Sequence, residues 1–510
     1  MKPLSLSKYL LTFKIVGYII ITIYMISFSA YADTNLNYTQ ARIKKVNQKL
    51  LQTLSQKGIA IDRVRGDTAI IYIRTDQLSI LKDMNIAYEF RSSVQNVEGY
   101  HSIESLADHL KTIEKKYPDI CKRYSIGKSY EGRDLWFMKI SDNVNEEEDE
   151  PEFKYISTMH GDEPVGMELC LRLIDYLTLN YGTKASTTAL VDDLEIWIMP
   201  LMNPDGFVHQ QRYNRQGVDL NRDFPDRVTS NLNTTEGRAV ETALVMNWAF
   251  AHSSVLSANF HTGALVVNYP YDSDFNPYKT YSATPEDELF QELSLSYSSL
   301  NPSMYNSSYF DRGITNGVQW YYAYGGMQDW NYIWMGCNEL TIELSDIKWP
   351  AYSTIDHFWE ENRDAMIHYI TWALRGIRGI ITDIETAQPV DAVVRVIGID
   401  HDIYTDPDVG DYHRILLPGT YDIEFSSEGY VTKRMNDIVV NDHHATRLDI
   451  QLMRESYYTN IQNPIIMLQA ISGINIENSL IKFDRTGNGK IGLPEVIYTM
   501  QMIAGMVTIQ

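Results

Sequence analysis

Residues 154–177 read Lys154-Tyr-Ile-Ser-Thr-Met-His160-Gly-Asp-Glu163-Pro-Val165-Gly-Met-Glu-Leu169-Cys-Leu-Arg-Leu173-Ile174-Asp-Tyr-Leu177. Residues 154–159 carry a strand signal, and Val165, Leu169, Leu173, Ile174 and Leu177 then mark one face of a helix. The turn between them holds an imidazole and a carboxylate three residues apart, His160 and Glu163. Residues 194–200, 255–260 and 340–344 are further strands, and Phe358, Met366, Tyr369, Ile370 and Ala373 suit a closing amphipathic helix. This alternation over residues 96–375 predicts an α/β domain with a mainly or partly parallel sheet. Sites in such sheets lie beyond the carboxyl ends of strands, where the polar residues of this stretch cluster.

The flanks have other characters. Lys2, Lys8 and Lys14 precede an apolar run over residues 15–28 that ends at Ala30-Tyr-Ala32. Residues 1–32 therefore read as a secretory signal peptide cut before Asp33, which implies an exported protein, secreted, periplasmic or at the cell surface. The competing reading is an uncleaved anchor, because the run is only slightly short of a span. Residues 33–95 form a small α+β unit, with a basic helix expected over 41–54, a strand over 68–74 and a helix over 78–84. Nothing in it has catalytic spacing, and it is expected to be a pro-segment that assists folding or covers the site, or else an accessory domain. Residues 376–453 carry short strand signals at 393–397, 421–425 and 448–452, separated by turns such as Pro418-Gly419, which predicts an all-β sandwich. Residues 454–510 contain a weak repeat, Leu468-Gln-Ala-Ile-Ser-Gly-Ile474 and Met500-Gln-Met-Ile-Ala-Gly-Met506, read as two helix ends closed by Gly473 and Gly505.

Composition bounds the function. The 510 residues allow two to four domains at about 100–200 residues each. Hydrophobic residues at 44% and charged residues at 22% exclude a mainly disordered or fibrous chain. A formal net charge of −22 weighs against nucleic acid and towards basic substrates and divalent cations. Three cysteines, Cys121, Cys170 and Cys337, allow at most one disulfide.

His160 and Glu163 alone are weak evidence, but His261 stands at the end of another strand. Two histidines and a glutamate form the protein ligand set of several catalytic zinc sites, with the fourth position left to water. Such a site needs a proton acceptor, and Glu343 sits on a strand end without being needed as a ligand. Arg212 can stabilise an oxyanion beside the metal. Arg222 can grip a carboxylate in bidentate fashion, with Asn221 adding a donor.

Together these stretches resemble the zinc metallocarboxypeptidases, on the branch of carboxypeptidases E, N, M and D. The matching stretches begin with His160-Gly-Asp-Glu-Pro-Val-Gly166, Met202-Asn-Pro-Asp-Gly-Phe207 and Val218-Asp-Leu-Asn-Arg-Asp-Phe-Pro-Asp226. Ser257-Ala-Asn-Phe-His-Thr-Gly263, Asn268-Tyr-Pro-Tyr-Asp272, Gly325-Gly-Met-Gln-Asp-Trp330 and Glu339-Leu-Thr-Ile-Glu-Leu-Ser345 follow. The resemblance covers roughly 96–453 and implies a mixed sheet flanked by helices, then a transthyretin-like β-sandwich. It implies one zinc on His160, Glu163 and His261, with Glu343, rather than Glu339, as the catalytic glutamate. Arg212 matches the arginine that polarises the scissile carbonyl, and Asn221 and Arg222 the pair that binds the substrate's terminal carboxylate. Tyr321 matches a mobile tyrosine that closes over substrate, Asp272 the acid that pairs with a basic side chain, and Gln328 a residue lining that pocket. Three positions depart from the pattern. Thr262 replaces a glycine and is expected to narrow the site, while Asp162 and Asp223 replace asparagines and are expected to add charge near it.

Asp484-Arg-Thr-Gly-Asn-Gly-Lys-Ile-Gly-Leu-Pro-Glu495 fits a twelve-residue EF-hand loop. Asp484, Thr486, Asn488, Glu495 and the Lys490 carbonyl would be the calcium ligands, with Gly489 at the sharp turn and Ile491 at the hydrophobic position. The segment resembles half of a bacterial dockerin-like repeat, which implies a cohesin-type or other cell-surface partner. The expected activity is zinc-dependent removal of C-terminal Lys or Arg from peptides or proteins. The alternatives are trimming of diaminopimelate-containing cell-wall peptides and, from another class, non-catalytic adhesion.

Overall fold

The computed structural model describes residues 38–91, 98–406, 408–458, 462–472, 483–485, 487 and 489–503. The signal-peptide reading of residues 1–32, Thr486, Asn488, Gly473 and Gly505 lie outside them. Among the described residues no helix is long and apolar enough to cross a membrane.

The first unit has four strands, β1 (Tyr38–Lys44), β2 (Ala60–Arg65), β3 (Thr68–Arg74) and β4 (Tyr88–Arg91), ordered β2-β3-β1-β4, with helices α1 (Gln48–Gln56) and α2 (Leu78–Asp83). The helix expected from residue 41 is a strand up to Lys44. Ile43 packs in the unit's core while β1 pairs with both β3 and β4, and pairing of this kind overrides helix propensity. The ladder between β2 and β3 slips by one residue between Ile61 and Arg63, a bulge centred on Asp62.

The central domain is built on eight strands, β5 (Cys121–Lys128), β6 (Asp134–Ile140), β7 (Glu152–Ser157), β8 (Glu195–Met199), β9 (Ser254–His261), β10 (Leu265–Tyr269), β11 (Ile314–Asn316) and β12 (Asn338–Leu344), ordered β11-β10-β12-β9-β7-β8-β6-β5. The sheet is mixed. The middle strands β12, β9, β7 and β8 run parallel, and the antiparallel pairs lie towards the edges. Helices α3 (Ile103–Lys116), α4 (Val165–Asn180), α5 (Val240–Ala249), α6 (Asp287–Ser298), α7 (Met327–Met335) and α8 (Ile355–Ile370) cover it. One apolar core packs α4 and α8 on one face, and a second packs Trp197, Trp248 and Trp330 on the other. Both faces of β7 and β9 are therefore buried, as in a parallel sheet covered on two sides. All three cysteines are buried free thiols.

A β-sandwich follows, in two sheets. β13 (Ile377–Asp383) pairs with β16 (Asp411–Arg414), β19 (Thr446–Arg447) and β20 (Ile450–Leu452). β15 (Asp402–Tyr404), β14 (Val393–Val396), β17 (Gly419–Ser426) and β18 (Lys433–Val440) form the second sheet in that order. The sandwich is locked to the central domain by buried charge. Arg414 Nη2 lies 2.8 Å from Glu286 Oε1, and His401 Nδ1 lies 2.6 Å from Glu286 Oε2. Helices α9 (Gln462–Ile471) and α10 (Leu493–Ile503) pack through Met467 and Val496 against Val431 and Met453. At the start of α10 the Asp484 carboxylate accepts from Gly489 N–H, and Glu495 accepts from Gly492 N–H at 2.9 Å.

Candidate active site

His160 follows β7, and His261 and Glu343 stand at the ends of β9 and β12. The parallel register sets Glu343 directly opposite His261. Glu163 reaches back from the turn before α4. That turn passes so close to the chain at Gly206 that a Cβ on Gly161 would lie 2.0 Å from a backbone carbon, so the residue after His160 has to be glycine. Glu163 Oε1 lies 3.1 Å from His160 Nδ1 and Glu163 Oε2 lies 2.9 Å from His261 Nδ1. One potential ligand atom from each of the three residues lies within 4.8 Å of the others.

The surroundings aim this group. Asp219 Oδ1 holds His160 Nε2 at 3.0 Å, which leaves Nδ1 facing Glu163; carboxylates orient metal-binding histidines in this way. Arg212 Nε donates to the other Asp219 oxygen at 2.9 Å, and the backbone N–H of Thr262 donates to Glu163. Burial and the neighbouring His160 push the His261 imidazole down to about 4, so at neutral pH its nitrogen lone pair is free. Burial works against ionisation of Glu163, but Lys348 and the two histidines hold its carboxyl well below the usual range. Glu343 is the opposite case. Burial, then the charges of Glu163 and Asp62, push its carboxyl well above the usual range, and its buried Oε2 makes no hydrogen bond among the described residues. Glu339, on the same strand, is by contrast bonded to Ser257, Asn259 and Asn331. A buried, unsatisfied acid beside two neutral-capable imidazoles and a carboxylate fits a divalent cation with an attached water.

Asn221, Arg222, Tyr321 and Asp272 line the same cavity as this cluster. Asp272 is buried, accepts from Asn268 Nδ2 at 2.9 Å and has Gln328, also buried, beside it. Its wall is Gly317, where a Cβ would lie 2.0 Å from Asp272 Oδ1. Burial raises the Asp272 carboxyl to about 6, with Asn268, Arg222 and Gln328 pulling the other way.

None of the three departures from the expected pattern lines the cavity, although Asp162 does add charge near the site through Lys348, which also holds Glu163. Thr262 does not narrow the site, because its hydroxyl donates to the Lys348 carbonyl at 2.9 Å. Asp223 accepts the Ala239 N–H at the start of α5. Asp162 takes the Tyr72 hydroxyl and lies 3.4 Å from Lys348 Nζ.

Tyr72 belongs to the first unit, which lies over the site. The bulge in β2 aims Asp62 into the cavity, where its side chain is 3% exposed, 2.6 Å from Lys348 Nζ and 3.6 Å from Arg212 Nη1. Arg63 donates to the carbonyls of Gly263 and Asp346, Trp320 Nε1 to Val64 O, and Tyr38 stacks on Tyr213 with centroids 3.7 Å apart. Tyr321 packs against the unit's apolar residues. The enclosed space is about 20 Å³, room for about one water and no peptide. Asp62, Tyr72, Asp219 and Lys348 had no role in the sequence reading. Only Asp219, inside the quoted stretch 218–226, offered a signal.

The zinc carboxypeptidase family profile matches residues 106–365, and the carboxypeptidase regulatory-like domain profile matches residues 376–453. The chain belongs to the zinc carboxypeptidase family. It is 40% identical over 422 residues to human carboxypeptidase D, covering 77% of this chain and 30% of that protein. It therefore spans under a third of the length of that relative. It is 39% identical over 379 residues to mouse carboxypeptidase M, covering 70% of this chain and 83% of that one. Carboxypeptidase A from Helicoverpa armigera shares the carboxypeptidase fold, with a TM-score of 0.53 at 19% identity over 66% of this chain and 97% of its own.

His261→Ala should remove about one zinc per chain, read by elemental analysis of the purified protein. A full complement in that variant would remove His261 from the ligand set.

Proposed function

We propose that the chain is an exported zinc metallocarboxypeptidase that removes C-terminal Lys or Arg and is kept latent by its N-terminal unit. The observation that carries this reading is the convergence of His160, Glu163, His261 and the unsatisfied Glu343 with Arg212, Asn221, Arg222 and Asp272 on one cavity. His160, Glu163 and His261 would hold the zinc, which supplies a Lewis acid that polarises a carbonyl and acidifies water. Arg222 and Asn221 hold the substrate's terminal carboxylate. Arg212, already charged and buried, stabilises the oxyanion that develops on the scissile carbonyl. Glu343 accepts the proton of the attacking water and returns it to the leaving amine. Tyr321 closes over the bound residue, and Asp272, with Gln328, receives its basic side chain.

Export rests on the residues 1–32 pattern. The Asp484–Glu495 loop is read as a weak calcium site, in the extracellular range of about 10⁻⁴–10⁻³ M, that orders α9 and α10 for a cohesin-type or other surface partner. Latency rests on Asp62, whose carboxylate lies in the cavity 3.6 Å from Arg212 Nη1, the group that would otherwise meet the scissile carbonyl.

Two outcomes follow. A chain starting at Glu98 should hydrolyse a peptide ending in Arg about tenfold or more faster than the intact chain, since displacing an occupant held by only about 1.4 kcal/mol is worth that factor. Equal rates would mean that the unit does not obstruct the site. In the truncated chain, a charge-assisted contact to Asp272 of about 1.5–3 kcal/mol favours Arg over Leu by about 10–150-fold in kcat/KM. Asp272 ionises only above about 6, so that preference is present at neutral pH and lost as pH falls through about 6. Asp272→Asn should flatten the profile and reduce the Arg rate far more than the Leu rate. Equal loss on both substrates, or faster release from a diaminopimelate peptide, would overturn the basic preference.

A further inference from the structure

The loop between β6 and β7 carries acids at Asp142, Glu146, Glu147, Glu148, Asp149 and Glu150. Three groups of converging ligand atoms outside the active site include residues of this acidic stretch. Two are made of carboxylates alone. The third is Asp149, Asp411 and His413, and it differs in having an imidazole.

Asp411 and His413 are two residues apart on β16, so both point to one face of the sandwich sheet. Asp149 reaches them from the central domain. His413 Nε2 lies 2.7 Å from Asp411 Oδ2 and 3.9 Å from Asp149 Oδ1, bracketing the spacing of about 3.3 Å between neighbouring donors that surround a zinc tetrahedrally at about 2.0–2.1 Å. Asp411 is 4% exposed. Among the described residues Asp149 Oδ1 is buried without a hydrogen bond, while its other oxygen pairs with Arg447. The charged groups that face Asp411 include Asp406, Asp149 and Glu152, all acidic. Arg378 and Arg447 are the cations that face the His413 ring, opposite Asp149 and Glu152. A cavity of about 270 Å³ between the two domains reaches Asp411 and His413 beside His252 and Ser253, and Asp149 stands outside its lining.

We propose that Asp149, Asp411 and His413 bind a second divalent metal ion of the zinc class, which ties the β-sandwich to the central domain. The imidazole selects a borderline transition metal over calcium, and two carboxylates with one neutral imidazole around a divalent ion leave a neutral complex where acids otherwise face one another. Binding only when both domains are docked makes the ion a staple whose affinity adds to folding stability.

The test uses the full chain equilibrated with buffered micromolar free Zn²⁺. Elemental analysis should find two zincs in the unmutated chain, one in Asp149→Asn and one in His413→Gln. His261→Ala should also lose one, but from the other site. Thermal unfolding should rise with added Zn²⁺ in His261→Ala and lose that part of the rise in the other two variants. Asp149 is partly exposed, so its variant folds even if the buried His413 variant does not. One zinc in the unmutated chain, or two kept in Asp149→Asn, overturns the proposal. So does loss in Asp149→Asn with no change in its zinc-dependent unfolding.

Discussion

Glu343 can face His261 only because β9 and β12 run parallel and in register. The rest of the site depends on that pairing. β7 lies parallel beside β9, so His160 leaves the sheet at the same edge. Three polar side chains from strands far apart in sequence thus meet at one line of carboxyl ends, with tightly packed apolar cores on either side to hold the strands. Burying two imidazoles and two carboxylates there is costly unless each gains a partner. His160, Glu163 and His261 partner one another, Asp219, Arg212 and Lys348. Glu343 is left, among the described residues, with a buried oxygen that makes no hydrogen bond, in the cavity where it would take the proton of a water.

The local signals of this arrangement were legible in the sequence. A strand, a turn with His160 and Glu163, and a helix with apolar residues at regular spacing occupy one continuous stretch, so the period change and the ligand pair can be read together. His261 and Glu343 each end a run of strand-forming residues. Asp62 was not legible, since its partner Lys348 lies far down the chain and its aim depends on a one-residue bulge that no local pattern announces. Residues 41–44, the end of β1, were misread for the same reason, because their pairing with β3 and β4 is set by tertiary contact. Thr262 was expected to crowd the site, and only the position of the Lys348 carbonyl explains why it does not.

The first unit and the site are electrostatically complementary. Arg212 lines the cavity and Lys348 lies behind it, within an acidic protein of net charge −22, and Asp62 meets both cations with a carboxylate. Tyr72 against Asp162 and Tyr38 against Tyr213 then fasten the unit around that contact. The departure at Asp162 thereby gains a use, as an acceptor for the covering unit.

The most direct test of the central claim is the turnover of Glu343→Gln on a peptide ending in Arg, measured with zinc content in the same sample. Full zinc with a rate reduced by about 10²–10⁴, the usual scale for a general base, is the predicted result. Full zinc with turnover close to that of the unmutated chain would contradict it.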